Sequence, residues 1–354
     1  MKKLDDYLKY EQPTKYIVDS DEYSDEYDIP VLTAGKSFIL GYTNETKNIF
    51  PKDKLPVIIF DDFTTDCKYV DFPFKVKSSA MKILHPINNA NAKFLYYFMT
   101  KIKFDNTLHK RYWISEYSQL PIKELNDNEQ NEFVEKMQKI EVLIDTRNKQ
   151  IENCNKLIKS QFVEMFGDPN FNDKNWDVEK INDIGTCVAG ATPSTTIDEY
   201  WTDGNIPWLS SGEVNKGRIY DTDTKITQKG YDNASTKMVP PKTVLLAMAG
   251  QGKTRGLAAI TEIELCTNQS VCSIVNNKKV NPEYLLYFLK MQYNELRNAS
   301  TSSEGRGGLN LKIIGNYRIM IPPIDLQNKF AQIVEQIDKQ KFVNLKIFQL
   351  LGKK

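Results

Sequence analysis

Asn131-Glu-Phe-Val-Glu-Lys-Met-Gln-Lys-Ile140 returns, with changes, as Asn328-Lys-Phe-Ala-Gln-Ile-Val-Glu-Gln-Ile337, at an offset of 197 residues. Stepping through the first copy in fours and threes gives Phe133, Met137, Ile140, Ile144, Arg147, Ile151, Cys154 and Ile158. Only Arg147 breaks this stripe. Most of the intervening positions are Glu, Lys, Asp, Asn and Gln, and no Pro or Gly intervenes before Gly167. The pattern predicts one long amphipathic helix over about 127–166 with a coiled-coil seam. At about 1.5 Å per residue, some 36 residues of such a helix already reach roughly 54 Å, which suits a spacer better than the inside of a compact domain. The second copy continues as Phe330, Val334, Ile337, Lys341, Asn344, Phe348 and Leu351. Its breaks are Lys341 and Asn344, and Asn344 is the counterpart of Arg147. If the two helices pair antiparallel, the breaks fall near the middle, where a polar contact would fix register. The alternative is that these side chains simply reach solvent. Phe133, Met137, Ile140, Ile144, Ile151 and Ile158, with Phe330, Val334, Ile337, Phe348 and Leu351, are the expected helix and partner interface.

Working outward, the helices divide the chain into residues 1–122, a first helix within 123–168, residues 169–323, and a second helix within 324–354. Gly167 before Pro169 is a stop signal for the first helix, and Asp325 is a candidate N-cap for the second. The two non-helical segments match in order. Ile29-Pro-Val-Leu-Thr-Ala-Gly35 aligns with Ile206-Pro-Trp-Leu-Ser-Ser-Gly212, and Asn91-Ala-Lys-Phe-Leu-Tyr-Tyr-Phe98 with Asn281-Pro-Glu-Tyr-Leu-Leu-Tyr-Phe288. These offsets are 177 and 190, so the loops differ in length on a repeated frame. Val57-Ile-Ile-Phe60 reads as a strand, Tyr69–Val76 as an edge strand limited by Pro73, and 92–103 as a helix. The expected class is α+β: two similar α/β domains joined by two long helices that pair as an antiparallel coiled coil, with an internal pseudo-two-fold repeat. A duplicated module with variable loops suits a protein that reads two related but different things.

Composition bounds the answer. A chain of 354 residues exceeds one ordinary core, and no apolar run is long enough to span a membrane. The start, Met1-Lys-Lys-Leu-Asp-Asp6, has no apolar leader, and the five cysteines form no CxxC. A reduced, cytoplasmic protein is expected. Two histidines, His85 and His109, make a zinc site an unattractive reading. The net charge of +1 neither demands nor excludes nucleic acid.

Several motifs invite a chemical reading. Ala249-Gly-Gln-Gly-Lys-Thr254 resembles a phosphate loop, but Ala247 stands where the first glycine belongs, and Gly256 where a helix should begin. Gly250, Gln251, Gly252, Lys253, Thr254 and Arg255 fit a DNA phosphate as well as a nucleotide, because glycines admit close backbone approach and the cations add charge. A bare glycine-rich hairpin tip is the duller reading. Asn281-Pro-Glu-Tyr284 departs from an amino-methyltransferase site at its third residue and reads as a helix start. Asp61 and Asp62, with Thr64, Thr65 and Lys68, occupy the matching place in the first segment. A carboxylate there accepts from cytosine N4, or the stretch is a solvated turn. Lys110 and Arg111 before Trp113, Arg306 with Asn310, Thr33 with Lys36, and Ser210, Ser211 and Glu213 complete the candidate DNA-contacting set; Trp113 is either near the duplex or in the core.

These carriers together resemble the specificity subunit of type I restriction–modification systems. The likeness rests on the order of segments, on Phe162-Val-Glu-Met-Phe-Gly-Asp-Pro169, Ile206–Gly212, Pro241–Gly256, Ile321-Pro-Pro323 and Leu326-Gln-Asn-Lys-Phe330. It implies two target-recognition domains, each reading one half of a split double-stranded DNA site. It implies two methyltransferase subunits docked on the helices, bringing S-adenosylmethionine to adenine N6. It implies restriction and translocation subunits that bring ATP and Mg, and a chain with no cofactor, metal or catalysis of its own. A related system with fused nuclease and methylase is the near alternative. A standalone NTPase or methyltransferase, or a coiled-coil interaction protein without DNA, are the distant ones.

Overall fold

The computed structural model describes the chain apart from residues 1, 34–36, 103, 106, 108–109, 251, 301–307 and 353–354, and from 342 onward it describes the backbone alone. The chain divides into two units, Met1–Asp145 and Thr146–Lys354. The first unit holds strands β1 (Leu8–Glu11), β2 (Ile29–Leu32), β3 (Ile39–Thr43), β4 (Val57–Asp61), β5 (Cys67–Val70), β6 (Lys75–Val76) and β7 (Met81–Pro86). Helices α1 (Ala92–Lys101) and α2 (Tyr112–Ser115) follow, and then α3 (Asp127–Phe166), which crosses into the second unit. The second unit continues with β8 (Val178–Lys180), α4 (Ile181–Ile184), β9 (Gly185–Ala189), β10 (Ile206–Leu209), β11 (Arg218–Ile219), β12 (Thr224–Ile226), α5 (Gln228–Asp232), β13 (Val244–Ala247), β14 (Ala258–Thr261), β15 (Cys266–Thr267) and β16 (Val271–Asn276). It ends with α6 (Pro282–Met291), α7 (Tyr293–Ala299), α8 (Leu311–Gly315), β17 (Arg318–Met320) and α9 (Ile324–Gly352).

The repeat holds at the level of strand pairing. In the first unit β2 is flanked by β3, antiparallel, and β6, parallel; in the second, β10 is flanked by β12, antiparallel, and β15, parallel. The larger sheets are ordered β1-β7-β4-β5 and β11-β14-β13-β16-β9. In each, a central strand, β4 or β13, pairs antiparallel on both sides. Both strands are buried at every residue. Successive side chains point to opposite faces, and each face has its own core. Ile58 and Phe60 join one cluster, Val57 and Ile59 another; Val244 and Leu246 face one cluster, Leu245 and Ala247 another. That is why these strands are continuously apolar rather than alternating. The expected Tyr69–Val76 strand is instead two: β5 is an edge of the larger sheet and β6 belongs to the smaller one.

Helix α3 is capped by Asn126 and Glu129, a reciprocal pair: Glu129 N donates to Asn126 Oδ1 (3.0 Å) and Asn126 N to Glu129 Oε2 (2.9 Å). It ends where Gly167 takes φ +81°, with Gly167 N donating to Val163 O at 2.8 Å. Trp176 Nε1 then satisfies the terminal Phe166 carbonyl at 2.9 Å. Asp325, expected as a cap, lies inside the first turn of α9.

The seam residues have more than one fate. Phe133 and Met137 pack on the core of the first unit, Phe133 edge-on to Phe94 at 5.7 Å. Ile158, Phe162 and Phe166 share a core with Phe330, Val334 and Ile337. Phe330 stands 5.5 Å from Phe162 and 5.4 Å from Phe166, while Asn155 and Lys159 share a cavity wall with Asp338 and Lys341. Within the second unit α3 and α9 therefore run in opposite directions. Ile140, Ile144 and Ile151 are half-buried. Arg147 donates to Gln150 on its own helix at 2.7 Å. The side chains of Asn344, Phe348 and Leu351 lie outside the described residues.

Candidate nucleic-acid interface

The connections leaving the central strands, β4 to β5 and β13 to β14, occupy the same place in the two frames. In the second unit that connection is the glycine loop. Gly250, Gly252 and Gly256 have φ of +126°, +81° and +88°, a region that favours residues without a Cβ. A Cβ on Gly252 would meet nothing within 4 Å, whereas one on Gly256 would lie 3.3 Å from Tyr293 O and from Arg297 Cγ. Helix α7 thus backs the loop. Tyr293 Oη donates to Lys253 O at 2.8 Å, Arg297 Nη1 donates to Arg255 O at 3.1 Å, and the Arg297 guanidinium lies 5.4 Å from the Tyr293 ring centre. Lys253 is exposed; Thr254 and Arg255 are half-buried. The loop offers an exposed lysine on a turn with its back fixed, which is a geometry that contacts phosphate. Tyr293 and Arg297 do not stand out in the sequence; their spacing of four, on one helix face, is the available signal.

In the first unit an aspartate takes the place of the glycines. Asp61 Oδ1 accepts from Phe63 N (2.8 Å) and Thr64 N (3.1 Å), and Thr65 takes φ +62°. Asp61 is 8% exposed and Asp62 2%. Asp62 lies 3.3 Å from the buried Lys82 ammonium and accepts from Trp113 N at 2.9 Å. The reading of these two carboxylates as base acceptors is corrected: both are engaged inside the fold, and Asp62 fixes the start of α2. Trp113 is a core residue, set against Phe60 at 5.2 Å. What the turn shows to solvent is Thr64 and Asp66, with Thr65 and Lys68 half-buried beside them.

The other candidates divide similarly. Thr33 Oγ1 donates to Ser37 O at 2.5 Å. Lys110 pairs with Glu116, which raises the lysine pKa, and Arg111 is exposed at the N-terminus of α2. Glu213 is buried and fully occupied. It accepts from Ser210 N at 3.0 Å and Asp223 N at 2.8 Å and binds Lys216 at 2.9 Å, so it serves a capping box with Ser210 rather than a base. Ser211 is half-buried behind it. Asn310 caps α8, accepting from Ile313 N at 2.9 Å. Lys36, His109, Gln251 and Arg306 lie outside the described residues. Among the described residues no three His, Cys, Asp or Glu side chains converge on a metal position, and no helix is long and apolar enough to cross a membrane.

The same frame occurs in known proteins. The family model of the type I restriction modification DNA specificity domain matches residues 173–347. The chain is 33% identical to the specificity subunit of the type I restriction enzyme EcoR124I/EcoR124II of Escherichia coli, over 95% of this chain and 85% of that one. It is 34% identical to the MjaIX specificity subunit of Methanocaldococcus jannaschii over 47% of this chain and 38% of the relative. Among solved structures, the S subunit of a type I restriction–modification system from M. genitalium superposes with a TM-score of 0.61 at 16% identity, covering 99% of this chain and 92% of that one. At that identity the likeness speaks for the fold alone. Specificity subunits are the DNA-recognising, non-catalytic components of type I enzymes, and they assemble with other subunits. On the full-length identity and the matched domain together, this chain belongs to the type I restriction enzyme specificity subunits.

Proposed function

We propose that the chain reads a split, asymmetric DNA site, one half with each unit, and positions two methyltransferase subunits to methylate adenine N6 and restriction subunits to cleave. The observation that carries this reading is a repeated frame with unlike loops. The small sheets and central strands match strand for strand, while one connecting loop is glycine-rich and cationic and the other acidic and closed by Asp61. Equal frames give equal placement on a duplex; unlike loops give unlike readout. Lys253 and Arg255 serve the backbone in the second unit, and Thr64, Lys68 and Arg111 are the side chains offered by the first. Lys36, Gln251 and Arg306 stay in the proposed set from sequence alone. S-adenosylmethionine, ATP and Mg belong to the partner subunits, this chain holds none of them, and the complex works in the cytoplasm. The target adenine leaves the stack for the partner's pocket.

The test is a genome-wide map of N6-methyladenine in cells making this chain with its methyltransferase, against cells lacking the chain. A new two-part motif with a fixed gap is the expected result. An undivided motif, or marks that do not depend on the chain, overturns it. Exchanging the 60–66 loop for that of a relative must change one half of the motif and spare the other.

A further inference from the structure

A cavity of about 560 Å³ opens in the second unit, walled by α3, α6, α9 and the turn that enters β11. Five cationic side chains line it, Lys159, Lys216, Arg218, Lys290 and Lys341, against a single carboxylate, Asp338. Their charges are not equally matched. Arg218 is clamped by Glu262, by Glu283 through two hydrogen bonds of 2.8 Å, and by Asp338 at 2.9 Å. Lys341 takes the other oxygen of Asp338 at 2.9 Å, and Lys216 bridges Glu213 and Asp223. Lys159 and Lys290 form no ion pair among the described residues.

Lys290 is the informative one. Its ammonium lies 4.9 Å from the Tyr287 ring centre and has no carboxylate in contact among the described residues. Burial is the main cause that brings its pKa down to about 8; Arg218 and Lys341 push the same way, against Asp338 and Glu283. A partly buried cation with cationic neighbours and its nearest carboxylates already taken favours an incoming anion. The apolar wall of Leu286, Tyr287 and Met291 and the exposed Tyr220 ring complete a space of the size that small ligands occupy, roughly 300–1,000 Å³.

We infer that this cavity binds a phosphate group, held by Lys290 and Lys159 with Lys216 and Lys341 as further donors. A phosphate carries up to two charges and several acceptor oxygens, and so can engage the lysines together. The group belongs either to a free phosphorylated small molecule or to the backbone of bound DNA. Lys290 precedes Tyr293, which backs the glycine loop, by three residues, so the chain that supports the loop also supplies the pocket.

Two titrations separate the sources. The chain is titrated with inorganic pyrophosphate by calorimetry, and the assembled complex is titrated with mixed-sequence duplex DNA at several salt concentrations. Each uses wild type, Lys159→Gln, Lys159→Gln/Lys290→Gln, and Lys290→Arg. A free-anion site gives pyrophosphate binding that weakens by about tenfold or more in the double variant and survives in Lys290→Arg. A backbone site gives no pyrophosphate heat, but lowers the salt slope of DNA binding by about two in the double variant. If neither ligand distinguishes wild type from the variants, the proposal is overturned. Should the double variant misfold, the single variant Lys159→Gln, at the exposed mouth, makes the same comparison with wild type. The pyrophosphate arm does not depend on how the chain reads DNA, and wild-type failure to bind duplex counts against that reading alone.

Discussion

The turn Asp61–Asp66 and the loop Met248–Leu257 answer one geometric demand in two ways. Each must carry the chain from a doubly buried central strand to its neighbour. The first closes on a carboxylate that accepts two backbone N–H groups; the second closes on glycines at positive φ. The first anchors its back to α2 through Asp62, the second to α7 through Tyr293 and Arg297. A duplicated frame therefore fixes where a loop starts and ends, and leaves open which side chains it shows. The carboxylate closure holds two acids inside the fold, whereas the glycine closure leaves Lys253 facing outward.

The comparison breaks most visibly at Asp62. Asp62→Ala strips the buried Lys82 of its counter-ion and Trp113 N of its acceptor, at a cost of about 3–5 kcal/mol. The expected outcome is a large fall in the denaturation midpoint of the first unit, read by chemical denaturation. Asp62→Leu with Lys82→Met removes both charges and is expected to recover the part of the loss that comes from the unpaired ammonium, while Trp113 N still lacks its acceptor. An Asp62→Ala protein as stable as wild type would return this carboxylate to the surface and to the duplex.

The second unit is tested at two glycines. Gly256→Ala meets the Tyr293 carbonyl and Arg297 as well as an unfavourable φ, and is expected to cost about 2 kcal/mol. Gly252→Ala meets open space and bears the strain of φ alone, about 1 kcal/mol. Equal costs would mean that α7 does not hold the loop. Lys253→Ala sharpens the contrast in charge: DNA binding weakens evenly across sequences and the salt slope falls by about one. Thr64→Ala in the first unit leaves the slope unchanged, because no charge is lost. A slope that drops equally in both variants would erase the distinction between the loops.

Much of this frame is legible in sequence because it rests on local pattern. The stripe through Phe133 and Ile158, the stop at Gly167 and the apolar runs of β4 and β13 are all periodicity or punctuation. The candidate site is less legible, because adjacent residues point apart and their partners are distant in sequence. Asp62 looks like Asp61 until Lys82 and Trp113 fold onto it. Two features were readable and missed. Asn126 with Glu129 and Ser210 with Glu213 have capping-box spacing, and the second pair removes Glu213 from the base-reading set. Residues 301–307 lie outside the described residues, and Arg306 stays a sequence proposal.

The finest comparison lies at the two helix caps. Asn91 and Asn281 both start the helix after the last strand of the larger sheet. Each also donates across to an asparagine on the following long helix, Asn131 at 3.1 Å and Asn328 at 2.9 Å. They are not energetic twins. Asn91 accepts from two backbone N–H groups, Lys93 and Phe94, both at 3.0 Å, while Asn281 accepts from Glu283 alone at 2.9 Å. Pro282 at the first position of α6 already sets φ for a helix, so less of that start depends on the cap. Asn91→Ala is expected to cost about 1 kcal/mol or somewhat more, and Asn281→Ala less, by the same denaturation measurement. The aspartate variants then divide the two roles. Asp keeps the acceptor for the helix N–H groups but cannot donate, so Asn131 or Asn328 must turn its own amide to keep the contact, and a loss in Asn91→Asp or Asn281→Asp reports how much the present orientation of that tie contributes. If both aspartate variants match wild type, that amide donor adds nothing, and the long helices are held to their units by the apolar stripe together with their other polar contacts, Tyr97 Oη to Glu141 on α3 and Arg218 to Asp338 on α9.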